Sequence, residues 1–296
     1  MNKQRRMALF MAVLMLVSVF SFSACGKKDK KEPAKKDEAT FTVGFDADFP
    51  PYGYKAEDGE YKGFDLDLAR EVCKRNGWKF KAQPVDWDAK NMELDSGAID
   101  CIWNGFTMNG REDQYTFSKP YIDNSQVVVV KADSGITTLD DLAGKIVAVQ
   151  TDSSAEALLE NDRKDLKDTF KDLDVQKEYN TCFQQLETGS VDAIAMDIAV
   201  ANYQLEKRGE ENFVKLEEVL SKEEYAIAFK KGNKDLRNKV QKTLDAMIED
   251  GTFQKIAKKW GVSEMIITPE TKAQEEEAES NTAEADAEAV SEAEAE

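Results

Sequence analysis

The chain has 296 residues, of which 41% are hydrophobic and 33% are charged, so it can bury one or two sizeable cores. It contains no histidine, which excludes histidine-based acid-base chemistry and the usual zinc sites, and it indicates no cofactor. Its formal net charge of -18 would repel phosphate backbones, so we expect no nucleic-acid partner.

The amino terminus is typical of an export signal, which we place at residues 1–24. Basic residues in the first six positions precede an apolar run that ends in small residues before Cys25. Residues 22–26 read FSACG and resemble a lipobox, with Phe22 where leucine is usual, which implies lipidation of Cys25. The apolar run approaches the roughly 20 residues that cross a bilayer. A retained membrane helix and a plain secretory signal are therefore the alternatives.

Two charged segments flank the region that we expect to fold. Residues 25–39 are rich in Lys, Asp and Glu and hold few apolar residues, which predicts a solvated linker. Residues 269–296 consist mostly of Glu, Ala, Ser, Thr and Asp, which predicts a disordered acidic tail.

The first part of the folded region alternates strands and helices. Residues 40–45 alternate as a strand, and residues 64–72 place apolar side chains on one helical face before the Asn76-Gly77 stop. The patterns that follow predict a strand at 79–85, a helix at about 89–96 and a strand at 99–103. This βαβαβ order is typical of an α/β layer with a parallel sheet.

A β-branched run over residues 126–131 predicts a buried strand that leaves this first unit. A second α/β series is predicted as strand 145–149, helix 154–161, strand 175–178, helix 182–188, strand 191–196 and helix 198–208. Residues 225–229 favour a returning strand, and two closing helices are predicted at 234–249 and 252–260.

We therefore predict an α/β fold with two lobes that close like a hinged clam. Lobe 1 is discontinuous, with residues 40–130 plus 226–268, and lobe 2 spans residues 131–225. Two extended crossovers join the lobes. Ligands of such sheets bind in the crevice outside the carboxyl ends of the strands.

Three cysteines fall inside the folded region. Cys73 lies in an amphipathic helix pattern and Cys101 in an apolar strand pattern, so we favour small buried side chains. The odd set of Cys73, Cys101 and Cys182 could supply at most one disulfide. No cysteine pair has metal-ligand spacing, so we expect no metal site.

Three loops that follow predicted strands hold unusual polar and aromatic residues. They are residues 45–52 (FDADFPPY), residues 103–111 (WNGFTMNGR) and residues 195–197 (AMD). Because all three follow strands, we expect them to face the same cleft.

These motifs resemble the polar amino-acid class of ABC-transporter extracellular solute-binding proteins, which have a type II periplasmic-binding-protein-like fold. The resemblance rests on residues 46–52 (DADFPPY), 63–69 (GFDLDLA), 104–107 (NGFT), Arg111 and the closing pattern from Gly251 to Gly261. It covers about residues 41–262. Each motif alone is a weak signal, but their joint order and spacing are specific.

The resemblance assigns the site for the ligand carboxylate to lobe 1. Arg111 matches the carboxylate-binding arginine, whose guanidinium can hold a carboxylate bidentately. Gly105 permits close backbone approach, and Thr107 completes this site. A cap or an ion pair with Glu112 is the alternative role for Arg111. The loop is one residue shorter than the common family form.

Asp197 matches the ammonium-binding aspartate of the family, on lobe 2. It directly follows a strand, and it can also cap the helix that begins at Ile198. Because Arg111 and Asp197 lie on different lobes, ligand binding and closure would be one event.

The resemblance also assigns a turn and two aromatic side chains to the site. Gln150, Ser153 and Ser154 match a turn of lobe 2 that hydrogen-bonds the carboxylate, although Ser154 can equally cap the following helix. Phe49 and Trp87 match positions that border the ligand side chain, with core aromatics as the alternative.

Asp46 is the best indication of specificity, since the family uses this position to bind a polar or cationic side chain. With Asn104 nearby and no basic residue at position 150, the resemblance favours a cationic or amide-bearing amino acid.

The resemblance implies a monomeric, lipid-anchored binding protein on the extracellular face of the membrane, which delivers a free amino acid to an ABC permease. We expect no enzymatic activity. The alternatives are a ligand sensor that signals through another subunit and a cyclohexadienyl dehydratase-like enzyme, which would need a positioned general acid.

Overall fold

The polypeptide is described here by a computed structural model that covers residues 39–271. The predicted signal peptide at 1–24, Cys25, nearly all of the linker at 25–39 and most of the acidic tail at 269–296 lie outside the described residues. None of the helices within residues 39–271 is long and apolar enough to cross a membrane.

Strands and helices alternate along the first part of the chain. Its elements are β1 (Thr40–Phe45), β2 (Asp48–Phe49), β3 (Gly53–Lys55), β4 (Tyr61–Lys62), α1 (Phe64–Asn76), β5 (Lys79–Pro84), α2 (Lys90–Ser96), β6 (Cys101–Ile102) and β7 (Tyr115–Phe117). Strands β2, β3 and β4 form a small antiparallel sheet that the sequence patterns did not predict.

The second part of the chain contains a longer strand and a second α/β series. Its elements are β8 (Ile122–Lys131), β9 (Ile146–Gln150), α3 (Ser154–Glu160), α4 (Lys164–Lys167), β10 (Asp172–Gln176), α5 (Tyr179–Thr188), β11 (Ala193–Asp197), α6 (Ile198–Arg208), β12 (Phe213–Lys215) and β13 (Ser221–Tyr225). The chain then closes with β14 (Ala228–Lys230), α7 (Lys234–Glu249) and α8 (Thr252–Trp260).

Two mixed sheets organise these elements, which confirms the predicted α/β class. The first sheet has the order β5-β1-β6-β14-β7, with β5, β1 and β6 parallel. The second has the order β10-β9-β11-β8-β12, with β10, β9 and β11 parallel and β13 paired beside β8. We call the first sheet with its helices lobe 1 and the second lobe 2.

The chain passes between the two sheets twice. Strand β8 pairs antiparallel with β11, β12 and β13, so the first crossing lies between β7 and β8. The predicted lobe boundary between residues 130 and 131 therefore falls at the end of β8, whereas the crossing precedes Ile122.

The second crossing divides the segment that was predicted as one returning strand at 225–229. Tyr225 ends β13 in the second sheet, and Ala228 begins β14 in the first sheet. The apolar run continues through the crossing because Ala226 and Ile227 are also buried. Continuous burial, rather than one strand, explains the run. Strand β10 begins three residues before its predicted position. Its first residues, Asp172, Leu173 and Asp174, mix polar and apolar side chains that are exposed or half-buried, so they give no clear strand pattern in the sequence.

Helix α1 illustrates how local sequence positions the lobe 1 elements. Gly77 adopts a left-handed conformation and its N–H caps the carbonyls of Cys73 and Lys74, which ends the helix at the predicted stop. Leu68, Ala69 and Val72 are buried on the inner face of the same helix, where they pack into the lobe 1 core.

The three cysteines of the described region are buried free thiols. Cys73 and Cys101 lie in lobe 1, and Cys182 lies in helix α5 of lobe 2. Burial raises the pKa of Cys73 and of Cys182 to about 12 and that of Cys101 well above its usual range. They behave as small core side chains.

Candidate functional site

A small cavity lies between the two lobes, and it brings together nine of the eleven predicted ligand-binding residues. Its volume is about 20 Å³, and it is lined by Phe49, Trp87, Gly105, Phe106, Thr107, Arg111, Gln150, Ser153, Ser154 and Asp197. A space of this size holds about one water molecule, so an amino acid can enter only if the lobes separate.

Arg111 reaches this cavity from the loop that follows β6. Its guanidinium lies 4.8 Å from the centre of the Phe106 ring, and Nη1 donates a hydrogen bond to the carbonyl oxygen of Thr107 at 3.2 Å. Among the ion pairs of the described residues, none involves Arg111, so the alternative pairing with Glu112 is absent there. The guanidinium therefore keeps donors for a carboxylate.

Asp197 ends β11 and occupies the cap position before α6, but its side chain makes no capping hydrogen bond. Instead, Oδ1 accepts hydrogen bonds from Nδ2 of Asn124 at 2.9 Å, from Nε2 of Gln126 at 2.7 Å and from the hydroxyl of Tyr225. Burial, and next the charge of Glu223, raise the pKa of Asp197 to about 7. The Asp197 side chain therefore lines the cavity and does not cap helix α6.

Glu223 is a second buried acidic residue in this region, and the sequence patterns did not predict it. Its Oε1 accepts hydrogen bonds from Oγ1 of Thr107 at 2.8 Å and from the amides of Asn124 and Gln126 at 2.7 Å each. The hydroxyl of Ser154 donates to Oε2. The run SKEEY around Glu223 reads as exposed surface, so only the pairing of β13 with β8 reveals its position.

Sheet pairing explains why Asp197 and Glu223 meet. Strand β8 lies between β11 and β13, with Gln126 opposite Asp197 on one side and Asn124 opposite Glu223 on the other. The two amide side chains of β8 therefore donate to carboxylates from both neighbouring strands.

The two serines of the lobe 2 turn have separate roles. Ser153, not Ser154, caps α3, because its Oγ accepts the N–H of Glu156 at 3.1 Å. The hydroxyl of Ser154 is thus available to Glu223. Both serines line the cavity, together with Gln150 from the end of β9.

The two predicted aromatic residues line the cavity and also belong to the hydrophobic cores. Phe49 stacks on Tyr52 with ring centres 5.9 Å apart, and Trp87 meets Phe106 edge-on at 5.7 Å. Both are buried. A role beside the ligand and a role in the core are therefore compatible for these side chains.

Asp46 lies outside the cavity lining and forms a contact between the lobes. Its Oδ2 accepts a hydrogen bond from Nε2 of Gln150 at 2.6 Å, while Oδ1 accepts the N–H of Asp48 at 2.9 Å. Burial raises the pKa of Asp46. Asn104 is also buried and absent from the cavity lining, and its side-chain amide has no hydrogen-bond partner within the described residues.

A wider acidic groove of about 680 Å³ is lined in part by Asp46. Five acidic residues and one lysine line it: Asp46, Asp48, Asp86, Glu93, Glu178 and Lys55. Asp46 of this groove is hydrogen-bonded to Gln150, which lines the small cavity. If that contact opened, a long side chain in the cavity would extend toward negative charge.

An ion pair between a buried lysine and a half-exposed aspartate joins the lobes beside Trp87, which lines the cavity. Lys90 is only 2% exposed, and its Nζ contacts the Asp152 carboxylate of lobe 2 and the Trp87 carbonyl at 3.0 Å. The ammonium also lies 4.7 Å from the centre of the Trp87 ring. Asp152 is the one non-glycine residue of the described chain with a positive φ, at 53°. Neither residue was predicted for the site.

Comparison with known proteins shows which family the chain resembles. Residues 41–263 match the family described as bacterial extracellular solute-binding proteins, family 3. The L-cystine-binding protein TcyJ of Escherichia coli K12 is 32% identical over 264 residues, which cover 88% of this chain and 96% of TcyJ. The arginine-binding extracellular protein ArtP of Bacillus subtilis is 31% identical, covering 85% and 98% of the two chains.

A solved structure shares the fold. The substrate-binding protein of an ABC uptake transporter from Streptococcus pneumoniae, with bound histidine, superposes with a TM-score of 0.72 and 36% identity. The match covers 75% of this chain and 92% of that protein, and it confirms the predicted two-lobed fold. By its family match, its relatives and its fold, the chain belongs to the bacterial extracellular solute-binding proteins, family 3.

Proposed function

We propose that this protein captures one free α-amino acid between its lobes and delivers it to an ABC importer. The observation that carries this proposal is the placement of opposite charges around one cavity. The Arg111 guanidinium comes from lobe 1 and the Asp197 carboxyl from lobe 2, and both line the same space. An α-amino acid carries a carboxylate and an ammonium, which complement these two groups.

A cationic or amide-bearing side chain is the favoured specificity. The acidic groove next to Asp46 supports a cationic side chain, because its lining holds five acidic residues and one lysine. Relatives that bind cystine, arginine and histidine show that the family accepts several side chains, so the preference of this chain rests on its own residues.

A thermal-shift screen of the full chain against the twenty amino acids and L-cystine tests this proposal. A ligand that binds only the folded state raises the melting temperature, by an amount equivalent to about 2.7 kcal/mol at one hundred times its Kd. We expect L-arginine or another cationic or amide-bearing amino acid to give the largest shift. The absence of a shift with every compound would refute amino-acid capture.

We propose a binding role rather than catalysis. A dehydratase on this fold would need a general acid, and the raised pKa of Asp197 makes it the residue to test. The same carboxyl is explained by an ammonium ligand, without a reaction. Incubation of the protein with prephenate or arogenate, followed by chromatography, distinguishes the two roles, since a binder returns its ligand unchanged.

We further propose that the protein is a monomer held at the extracellular face of the membrane by a lipid on Cys25. The residues FSACG support this anchor by their resemblance to a lipobox. Replacement Cys25→Ser should release the protein from the membrane fraction into the medium or periplasm. A variant that stays with the membrane would contradict lipid anchoring.

A further inference from the structure

Asp197 and Glu223 are two buried carboxyl groups that share the same hydrogen-bond donors. Their side chains are 4% and 6% exposed, and Oδ1 of Asp197 and Oε1 of Glu223 share the amide donors of Asn124 and Gln126. No lysine or arginine of residues 39–271 forms an ion pair with either. Two adjacent buried carboxylates without a cation are costly, because their mutual repulsion adds to the lost hydration.

A purely structural role does not require a charge at position 223. Neutral glutamine has nearly the same shape, and its oxygen would accept the hydroxyl of Thr107 while its NH2 group could donate to the hydroxyl oxygen of Ser154. Glutamate adds a negative charge beside Asp197. Its partners Thr107 and Ser154 line the cavity, and Glu223 itself lines a neighbouring groove together with Arg111. Such an arrangement is stabilised when a cation arrives.

We propose that Asp197 and Glu223 together form the ammonium site, and that the ligand-free pair holds one proton which the ammonium of the ligand displaces. This inference rests on the proposed function. On binding, the O–H bond of the protonated carboxyl breaks, the proton passes to solvent, and both carboxylates face the ligand ammonium. Ligand and protein otherwise keep their protons, so each binding event releases one proton.

The surrounding groups are consistent with titration of Asp197 alone. The titratable or charged groups that face it are Tyr225 on β13, Tyr179 on α5, Tyr52 in the loop after β2 and Arg111 after β6. Burial holds the pKa of each of these three tyrosines well above its usual range, so they stay neutral. The raised pKa of Asp197, about 7, agrees with a proton held near neutral pH.

Ligand affinity should depend on pH, because the ligand-free pair holds a proton that the ammonium displaces. Below a pH of about 7 the ligand-free pair is protonated, and the ammonium must displace that proton. Affinity should therefore rise as the pH increases from about 5 to about 7 and level off above that. Proton release should be close to one per ligand at about pH 6 and should vanish at about pH 8.5.

Calorimetry at pH 6 in two buffers with different heats of ionisation measures the released protons. The probe is whichever of L-arginine, L-glutamine and L-cystine gives the largest thermal shift, since the side chains of these three do not titrate near pH 6. In Glu223→Gln the proton release at pH 6 should decrease, because the charge of Glu223 no longer raises the pKa of Asp197 while its burial remains. Affinity at about pH 8 should fall about tenfold or more. The control Glu217→Gln removes an exposed glutamate between β12 and β13 and should behave as the unchanged protein.

A second measurement needs no ligand. The melting temperature of Glu223→Gln minus that of the unchanged protein should increase from about pH 5.5 to about pH 8, because only the unchanged pair gains charge repulsion over this range. A structural role would give a constant offset. If Glu223→Gln does not fold, Asp197→Asn removes the same repulsion and serves in its place.

The outcomes separate the two proposals. Binding without proton release, or a constant melting-temperature offset, would overturn the carboxyl pair and leave amino-acid capture intact. No thermal shift with any amino acid would overturn the proposed function, and the ligand-free series would still decide whether the pair holds a proton.

Discussion

Asp46 occupies a position where one carboxylate touches both lobes. It lines the acidic groove, and it accepts the amide of Gln150, which lines the small cavity, across the cleft. A ligand side chain that enters this groove would replace Gln150 as its partner. Side-chain recognition and lobe closure would then depend on the same atom.

Replacement Asp46→Ala should therefore weaken the native ligand far more than a small neutral amino acid such as L-alanine. A charged partner in a partly buried site contributes about 1.5–3 kcal/mol, which L-alanine cannot lose. Calorimetry with both ligands measures the difference. Equal losses for the two amino acids would show that Asp46 has no role in selectivity.

Replacement Arg111→Lys tests the carboxylate site, because lysine keeps the charge and loses the planar fork. We expect affinity for every amino acid ligand to fall by about 10- to 100-fold, as one charged hydrogen bond is lost. The matched control is Arg75→Lys on α1, whose guanidinium pairs with Glu71 and Asp250 away from the cavity. An unchanged Kd in Arg111→Lys would exclude bidentate recognition.

Sequence reasoning selected site residues that follow predicted strands and match a family motif, and nine of them line one cavity, while their contact with a ligand stays a prediction. It missed Glu223, since a glutamate in the polar run SKEEY has no local feature that marks it as buried. It also missed Lys90, whose partner Asp152 is 62 residues away in the chain. Long-range pairing of this kind is decided by sheet topology, not by local pattern.

At the scale of elements, the loop after β6 depends on one glycine conformation. Gly105 has a φ of 57°, and a Cβ there would lie 2.9 Å from the Tyr225 ring and 3.0 Å from the rings of Phe49 and Tyr52. The backbone N–H of Gly105 also donates to the Asp65 carboxylate at 2.6 Å. The loop that carries Thr107 and Arg111 therefore packs directly on aromatic side chains.

Replacement Gly105→Ala should lower the free energy of unfolding by roughly 2–4 kcal/mol, because backbone strain adds to overpacking. Gly110 lies in the same loop with a φ of 74°, and a Cβ there meets nothing within 4 Å. Gly110→Ala should cost only about 1–2 kcal/mol, from strain alone. Urea denaturation compares the two, and equal losses would rule out a steric role for the rings.

Elements with a clear period were predicted closely, and the bounds of α6, α7 and α8 agree with the sequence patterns. The returning segment at 225–229 was predicted as one strand, because an apolar run shows burial but not which sheet covers it. Strand β13, which carries Glu223, and the short sheet of β2, β3 and β4 left no apolar signal in the sequence.

At the scale of the whole molecule, contacts between the lobes set how readily the cleft opens. Lys90 is buried and pairs across the cleft with Asp152, whose side chain is 50% exposed. Lys177 and Asp86 also pair across the cleft, at 2.8 Å, but both of their side chains are exposed. Burial lowers the pKa of Lys90, and its bond to Asp152 opposes that shift. The pair of Lys90 with Asp152 favours the closed arrangement, since opening would separate the two side chains.

Replacement Lys90→Met should shift the ligand-free protein toward an open form and weaken ligand binding by about three- to tenfold. Lys177→Met is the matched control, because exposed pairs contribute only about 0–1 kcal/mol. Small-angle scattering of the ligand-free proteins should show a larger radius of gyration for Lys90→Met alone. Identical scattering for both variants would show that the Lys90–Asp152 pair does not hold the lobes together.

Buried carboxyl groups also give the whole molecule an expected pH profile. Burial raises the pKa of Asp48 and of Asp65 to about 7, from 3.8. The folded state then binds more protons than the unfolded chain between pH 4 and 7, so stability should fall as the pH rises through this window. Urea denaturation at pH 5, 6 and 7 measures this slope, and Asp48→Asn should reduce it. Stability that increases over this range would contradict these shifts.

The free thiols allow the opening of each lobe to be measured separately, because each lobe holds at least one of them. Cys73 and Cys101 report on lobe 1 and Cys182 on lobe 2, and buried thiols react with a maleimide only when their surroundings open. In the full chain with Cys25→Ser, mass spectrometry of labelled peptides would time the opening of each lobe separately. A ligand that closes the cleft should lower the labelling rates in both lobes. The ratio of the two rates would show which lobe opens more readily.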